Sequence, residues 1–391
     1  MINTHQELVL ALSEAAELEH SLICQYLFAA YSIKNQADAI AAADVVLFAA
    51  WQEKILNVAR QEMGHLGTVW NLQALAGAAP YAGRVNFPQP GGRFYPPHID
   101  FSLTPFSDDT LQRFIEFERP EHGEQLMLAG VPDPLDYSRV GDLYRQIRQA
   151  VIALPEDALL IDTTAVEDSR SWSNNVTLKT ATTRQEVIDA IDFIIQQGEG
   201  TPGATAGSHF AIFVTLKDEL AAHLNAGGAA PGRDVAPNPW MTDHRDAAGG
   251  TPLTAPAAVE AVSAFNLIYG CLLQLLRHYY AKGTETEDQR DNLKMASYRL
   301  MHACLGPLGE LLTRMTGVTE NGLRAGPSFE HFGAEDLAAA PRAVWRVVAS
   351  RLLDARGSLV ALQGAGAGPD FGSVITGLEE ALDWLTADQP A

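Results

Sequence analysis

The segment WQEKILNVARQEMGHLGTVW (residues 51–70) has apolar residues at the three- and four-residue spacing that keeps side chains on one helix face. Glu62 and His65 interrupt this face at positions where apolar residues are expected. A second helical pattern, over residues 4–35, carries Glu19 in its apolar face in the same way. An ionised carboxylate in a helical core is costly unless a positive charge compensates it, and neither face contains a lysine or an arginine. The two helices therefore predict a bound metal ion.

The composition of the 391-residue chain limits the classes of function that it can have. Hydrophobic residues make up 47% of the chain, enough for a substantial core, whereas charged residues make up only 19%. The net charge of −21 argues against binding to nucleic acid or to an anionic membrane surface, because both need a basic face. We therefore expect a small-molecule substrate as the partner. The composition gives no oligomeric state, and the C-terminal helices leave open either packing on the bundle or a homodimer face.

Three further sequence features predict a cytoplasmic protein. The first residues, MINTHQELVL (1–10), lack the basic and apolar regions of a signal peptide. No uninterrupted apolar stretch reaches the length that spans a bilayer. The three cysteines, Cys24, Cys271 and Cys304, lie in separate helical patterns and are expected to be reduced thiols in the core.

Helical periodicity dominates the chain and strand signals are scarce, which predicts an all-α protein. A Pro/Gly-rich segment, residues 78–106, is too long for an ordinary connection and is predicted to close the bundle and shape a pocket. Residues 226–256, rich in Gly, Ala, Pro and Asp, are the predicted linker between a helical bundle at 1–225 and a C-terminal helical region at 257–391 that packs on it. The predicted helices cover about residues 4–35, 38–77, 110–118, 141–153, 184–197, 208–224, 256–282, 286–317, 339–356 and 373–386.

Later helical patterns add two carboxylates and a second histidine to the candidate ligands. Glu118 shares the apolar face of the short third helix, whereas Glu116 lies on its polar face and is expected to be exposed. Glu199 and His209 each lie on the apolar face of a later helical pattern. The candidate metal ligands are Glu19, Glu62, His65, Glu118, Glu199 and His209.

This ligand set predicts a pair of divalent ions inside a ferritin-like four-helix bundle with additional C-terminal helices. Four carboxylates and two neutral imidazoles balance the charge of two divalent ions, and such bundles use two single Glu ligands and two Glu/His pairs. Oxygen and imidazole ligands suit two Fe ions, with Mn as an alternative. One departure is that Glu199 and His209 are ten residues apart rather than three. The glycine-rich segment GEGTPGATAG (198–207) must therefore fold out and return.

Several neighbouring residues have open roles. Tyr26, one heptad after Glu19, is a candidate for hydrogen bonding to a ligand, for relaying an electron, or for simple packing. Glu17 and His20 form a second Glu-x-x-His match and are predicted to flank the site and orient the ligands. These two residues and Glu116 stay alternatives to the assigned ligands. Glu62 and Tyr26 are the candidate catalytic residues, and Glu62, Glu199 and Glu19 are expected to bridge or chelate the ions.

Six blocks of sequence carry a family resemblance: AELEHSLICQYLFAAYSIK (16–34), RQEMGHL (60–66), FIEFERPE (114–121), GDLYRQI (141–147), IIQQGEG with SHF (194–200 and 208–210) and AGPSFE (325–330). In this order they resemble the ferritin-like domain family of iminophenyl-pyruvate dimer synthases. The resemblance implies a ferritin-like fold and the metal residues given above. A related domain is part of larger enzymes of violacein- and rebeccamycin-type bisindole pathways, which couple two imines derived from an aromatic amino acid and are associated with haem.

The favoured function is that of a non-haem diiron oxidoreductase, using O2 or H2O2 on a small amino-acid-derived molecule of specialised metabolism. Two reduced ions that share carboxylates deliver two electrons to O2 together. One alternative, implied by the resemblance, is haem-linked oxidative coupling of amino-acid-derived imines. Another is a non-enzymatic iron-handling protein, although the helices after residue 256 fit poorly into a storage shell. A purely structural ion-pair core is disfavoured because the helix faces lack cationic partners.

Overall fold

A computed structural model of the protein describes residues 2–89, 99–120, 140–163, 172, 176–198, 200, 206–241, 249–281, 285–331 and 341–387. Over these residues the fold is all-α, as the sequence predicts, with one two-residue pair of strands. The helices of the N-terminal half are α1 (His5–Tyr31), α2 (Ala42–Leu75), α3 (Asp108–Phe117), α4 (Val140–Ala153), α5 (Arg184–Gly198) and α6 (His209–Asn225). Those of the C-terminal half are α7 (Pro256–Ala281), α8 (Glu287–Arg299), α9 (Gly306–Leu312), α10 (Pro341–Gly364) and α11 (Gly372–Thr386).

Helices α1 and α2 form an antiparallel pair at the centre of the bundle. The Gln52 side chain donates to the carbonyl of Ala30 near one end of the pair, and Gln73 donates to Ser13 Oγ near the other. The two hydrogen bonds show that the helices run in opposite directions, with the apolar face of each packed against the other. The remaining helices of the bundle pack as α3 with α6, α4 with α5, and α4 with α1.

Both long helices are shorter than predicted, for identifiable reasons. At the start of α1 the Thr4 side chain caps the helix in a reciprocal capping box. At the other end the Ser32 and Ile33 N–H groups still bond to helix carbonyls, whereas the Lys34 N–H bonds to the Pro231 carbonyl instead. Helix α2 begins later than predicted because Asp38 is held by Arg233 outside the helix. The described parts of segment 78–106 run along α1, where its residues bond to Gln25 and Ser32 side chains.

The helix predicted at 286–317 is divided by a π-helical turn, Leu300–Leu305. Pro307 follows this turn, and its missing N–H cannot form the ordinary bond to the carbonyl four residues earlier. The turn therefore lies where the α-helical ladder must be interrupted, and it separates α8 from α9.

Helix α7 has the length and apolar composition of a membrane-spanning helix, with a mean hydropathy of 1.5 over its most apolar window. Of that window, 72% is buried inside the protein, as in the core helix of a globular fold. It packs against α10, α8 and α2. The three cysteines are buried thiols that form no disulfide, as predicted.

The described part of the predicted linker 226–256 is tied to both halves of the chain. It contains two short parallel strands, β1 (Pro239–Trp240) and β2 (Thr251–Pro252). Arg233 donates to the carbonyl of Tyr31 at the end of α1 and to Thr313 Oγ1 after α9. The proposed division into two domains stays a prediction.

Candidate metal centre

Five of the six predicted ligands meet in the core of the bundle. Each side chain comes from or directly beside a helix whose apolar face points inward, so that helix packing brings them together. Their exposed fractions are 3% or less, which leaves the carboxylates out of contact with solvent. The five are Glu19 on α1, Glu62 and His65 on α2, Glu118 directly after α3, and His209 at the start of α6. Glu199 lies outside the described residues.

Glu62 links two groups of possible ligands. One group contains Glu19, Glu62 and His65, the other contains Glu62, Glu118 and His209, and the ligand atoms within each group lie within 4.8 Å of one another. Glu62 Oε2 is 2.6 Å from His65 Nδ1, whereas Glu62 Oε1 is 2.8 Å from His209 Nδ1. Each oxygen of this carboxylate therefore faces a different histidine, which is the arrangement expected of a carboxylate that bridges two ions.

Two buried atoms of the cluster have no hydrogen-bond partner and are of the kinds that bind metal ions. Among the described residues, Glu19 Oε2 and His209 Nδ1 have no hydrogen-bond partner. The 2.8 Å separation of His209 Nδ1 from Glu62 Oε1 lacks the angles of a hydrogen bond. Buried polar atoms without partners are rare and costly, and a divalent cation satisfies both. The carboxylate and imidazole donors are of the types that iron and manganese accept.

The histidines are oriented by amide groups behind them. Gln197 Oε1 lies 2.8 Å from His65 Nε2, and Gln61 Oε1 lies 2.8 Å from His209 Nε2. Since an amide oxygen accepts a hydrogen bond, this pairing assigns the proton to Nε2 in the neutral ring. The Nδ1 atom, which faces the carboxylates, is then free to bind a metal.

Two tyrosines donate to the carboxylates from opposite sides. Tyr26 donates to Glu118 Oε1 at 2.5 Å, and Tyr144 donates to Glu19 Oε1. Burial, and then the charge of the neighbouring carboxylate, raises the pKa of each phenol well above its usual value. Both phenols are therefore protonated donors that fix the carboxylates in place.

In the cluster, pKa values are shifted toward the protonated forms at two carboxylates and at both imidazoles. Burial, and then the charge of Glu62, raises the pKa of Glu19 to about 8. The same two effects raise the pKa of Glu118. Burial alone would lower the pKa of His209, but the Glu62 charge and the contact with Glu118 outweigh it and raise it to about 9. For His65 the carboxylates also outweigh burial, and its pKa lies well above the usual value.

The structure separates the alternative ligands from this cluster. Glu116 is partly exposed and pairs with Arg119 on the other face of α3. His20 bonds to Tyr269, and Glu17 accepts from the Val85 N–H. The prediction that Glu17 and His20 orient the ligands is therefore wrong, because both lie on the face of α1 that packs against later parts of the chain.

Tyr144, Gln61 and Gln197 were not predicted as parts of the site. Tyr144 lies on the apolar face of α4, so periodicity indicates its burial but not the carboxylate that its hydroxyl meets. The glutamines precede assigned ligands by one and two residues, and no spacing rule distinguishes them from solvated side chains. Only the packing of four helices brings these groups to the cluster.

Comparison with known proteins supports the fold independently. The chain is 28% identical over 379 residues to dichlorochromopyrrolate synthase of Lentzea aerocolonigenes, covering 84% of this chain and 36% of that protein. It is also 28% identical over 361 residues to 2-imino-3-(indol-3-yl)propanoate dimerase of Chromobacterium violaceum, covering 83% of this chain and 34% of that protein. The chain thus spans about a third of the length of these relatives.

A solved structure shows the same fold. The crystal structure of a ferritin-like protein from Caulobacter vibrioides superposes with a TM-score of 0.52 at 20% identity, covering 78% of this chain and 93% of that one. A ferritin-like family model matches residues 12–218, more than half of the chain. The family resemblance inferred from the sequence is therefore confirmed, and this protein belongs to the ferritin-like family.

Proposed function

We propose that this protein is an enzyme that oxidises a small amino-acid-derived molecule at a pair of iron or manganese ions, with O2 or H2O2 as the oxidant. The observation that carries this proposal is the buried cluster in which Glu62 belongs to two ligand groups. When bound, a pair of redox-active ions supplies two electrons to the oxidant at one place. The −21 charge of the chain further supports a small-molecule partner over nucleic acid.

Different residues would bind the two ions and fix the positions of the ligands. Glu62 would offer one oxygen to each ion, and Glu19 and Glu118 would each be a ligand on one side of the cluster. The two tyrosines keep those outer carboxylates from rotating, since each phenol donates to one oxygen. Burial excludes bulk water, which strengthens the electrostatic interactions of the charged groups.

The substrate class rests on the relatives. Both of their names are enzyme names, a synthase and a dimerase, and one names an imino acid with an indole side chain. A second candidate function is therefore the oxidative coupling of two imino acids, favoured by the word dimerase and by the match over 83% of this chain. A Soret absorption band after haem supplementation would favour haem-linked coupling, and its absence would favour the metal pair.

The metal content of the purified protein tests the proposal. Protein produced with iron is expected to contain two metal ions per chain by elemental analysis, as in the two-ion carboxylate bundles. Glu62→Gln should lose most of this metal because one carboxylate oxygen is replaced by an NH2 group that cannot bind a cation, and the negative charge is lost. Glu116→Gln is the matched control and should keep it, since Glu116 pairs with Arg119 outside the cluster. Well under one metal per chain in the unmodified protein, or full metal in Glu62→Gln, would overturn the proposal.

Oxygen uptake separates the enzyme from an iron-handling protein. An enzyme keeps a fixed amount of metal per chain and consumes O2 in proportion to an organic substrate. An iron-handling protein consumes O2 rapidly on addition of ferrous iron and accumulates many irons per chain. The second result would contradict the proposed enzyme while leaving the metal ligands in place.

A further inference from the structure

A cavity of about 420 Å³ lies against the face of α2 that points away from the metal ligands. The space beside the ligands themselves is only about 20 Å³. Within the described part of the chain, no residue lines both spaces. Neighbouring residues of α2 nevertheless line one space or the other: Glu62 and His65 line the small space, whereas Met63 and Gly67 line the large cavity. One helix therefore separates the two.

The size of this cavity needs an explanation because protein interiors are close-packed and have few voids larger than a water molecule. Its volume is within the range of pockets that bind small molecules. Gly67 lies in the wall, where an added Cβ would be 2.4 Å from Leu178 Cδ2 and 2.6 Å from the Tyr280 hydroxyl, so the glycine allows these two wall side chains to approach α2. The π-helical turn places Met301 and His302 in the wall, and such turns occur frequently at functional sites.

The inner end of the cavity is aromatic. The rings of Trp70 and Tyr280 meet edge to face with centroids 5.1 Å apart, and Trp172 lies nearly parallel to Tyr280 with an angle of 6° between the planes. This end therefore offers flat apolar surfaces.

The outer end of the cavity is polar, but its charges are already paired. Arg60 Nη1 donates to Glu53 at 2.7 Å and to Asn57 at 2.8 Å. Glu310 accepts from Arg314 at 2.6 Å. A ligand that enters here meets polar groups without a strong excess of one charge, which favours a neutral molecule over an ion.

We propose that this cavity is a second binding site, separate from the metal ligands, for a neutral flat aromatic molecule. The ring packs against Trp70, Tyr280 and Trp172 at the inner end. The less apolar end of the molecule stays near Arg60. Since the wall contains none of the metal ligands, binding requires no metal and goes beyond the proposed oxidation.

Prodan, a neutral fluorescent naphthalene with a ketone oxygen, is the probe for this site. Titration of the full chain should show saturable binding of one prodan per chain, with quenching of tryptophan emission. Leu276→Trp on α7 and Leu56→Trp on α2 fill the cavity from opposite walls, and each should weaken binding by about tenfold or more. Trp172→Leu removes one aromatic surface of the wall and should weaken binding by about threefold to tenfold.

Trp384→Phe is the matched control, because Trp384 is 37% exposed on α11 and does not line the cavity. It should bind prodan as the unmodified protein does. Near-UV circular dichroism identifies variants that keep the fold. If one of the two tryptophan variants that fill the cavity fails to fold, the other one tests the proposal. Absence of saturable binding, or unchanged binding in every folded filling variant, would overturn the proposal. Binding that disappears after treatment with a chelator would also overturn it, because the site would then depend on the metal.

Discussion

Glu62 is the residue on which the candidate centre depends, because its two oxygens face different histidines. A second group lies behind each of its neighbours: Tyr26 donates to Glu118 and Tyr144 to Glu19, whereas the Nε2 atom of each histidine meets a glutamine amide oxygen. Groups behind metal ligands typically change metal affinity when removed. The consequences can be tested one side chain at a time.

Tyr26→Phe and Tyr144→Phe should each weaken metal binding by about tenfold to a hundredfold, because a ligand carboxylate loses the donor that fixes it. Competition with a chromogenic chelator measures this change. Tyr81→Phe serves as the control, since the Tyr81 side chain is 40% exposed and lies outside the cluster. Equal metal affinity in all three variants would show that the phenols do not position the ligands.

The protonation of the metal-free cluster predicts the pH dependence of metal binding. In the absence of metal, Glu19 has a pKa of about 8 and His209 a pKa of about 9, so both carry a proton at neutral pH. Metal ligation needs the deprotonated forms, so binding releases protons and strengthens as the pH rises through these values. Calorimetric titration in buffers with different ionisation enthalpies counts the released protons. Binding without proton release, or binding that weakens with rising pH, would contradict this prediction.

At the scale of the elements, the glycines inside α2 are explained by segment 176–179, which lies directly against the helix. A Cβ atom on Gly64 would lie 2.7 Å from the Thr177 carbonyl oxygen, and one on Gly67 would lie 2.4 Å from Leu178 Cδ2. Segment 176–179 therefore approaches the helix backbone directly. In the same way, the π-helical turn before α9 follows from Pro307, which interrupts the helical hydrogen bonds.

Gly64→Ala is expected to destabilise the fold by about 1–3 kcal/mol, since the atom in the way is backbone and cannot move aside. The matched control is Gly357→Ala in α10, where no atom lies within 4 Å of the added Cβ. That variant should gain up to about 1 kcal/mol from helix propensity. Urea unfolding measures both free energies, and a stabilised Gly64→Ala protein would show that the contact with Thr177 is not tight.

At the scale of the whole molecule, a few polar contacts join parts of the chain that are distant in sequence. Arg233 is only 6% exposed and donates to Asp38 Oδ2 at 2.6 Å, besides its bonds to Tyr31 and Thr313. The end of α1, the start of the predicted linker and the end of α9 are thereby held at one point. Arg233 therefore links the helical bundle to the C-terminal helices through direct hydrogen bonds.

Asp38→Asn should destabilise the protein by about 1–3 kcal/mol, because a buried guanidinium loses its charged acceptor. Burial raises the pKa of Asp38, but the hydrogen bonds from Arg233 and Asn35 outweigh it and lower the pKa below its usual value. The stabilisation is therefore present above the unfolded-state pKa and is lost as the pH falls through the folded-state value. Urea unfolding at neutral and acid pH measures it, with the exposed Asp354→Asn as control. Equal stability of the two variants at neutral pH would refute the role of this pair.

The sequence alone determined the fold class and a candidate ligand set, because helix periodicity dictates which side chains share a buried face. A carboxylate such as Glu62 is conspicuous on such a face, and the same rule favoured Glu118 over Glu116. Only the tertiary structure decided what each face meets. It placed His209 beside Glu62, brought Tyr144 and the glutamines to the cluster, and turned His20 toward α7, because helix packing and chain reversal bring together residues that no local spacing relates.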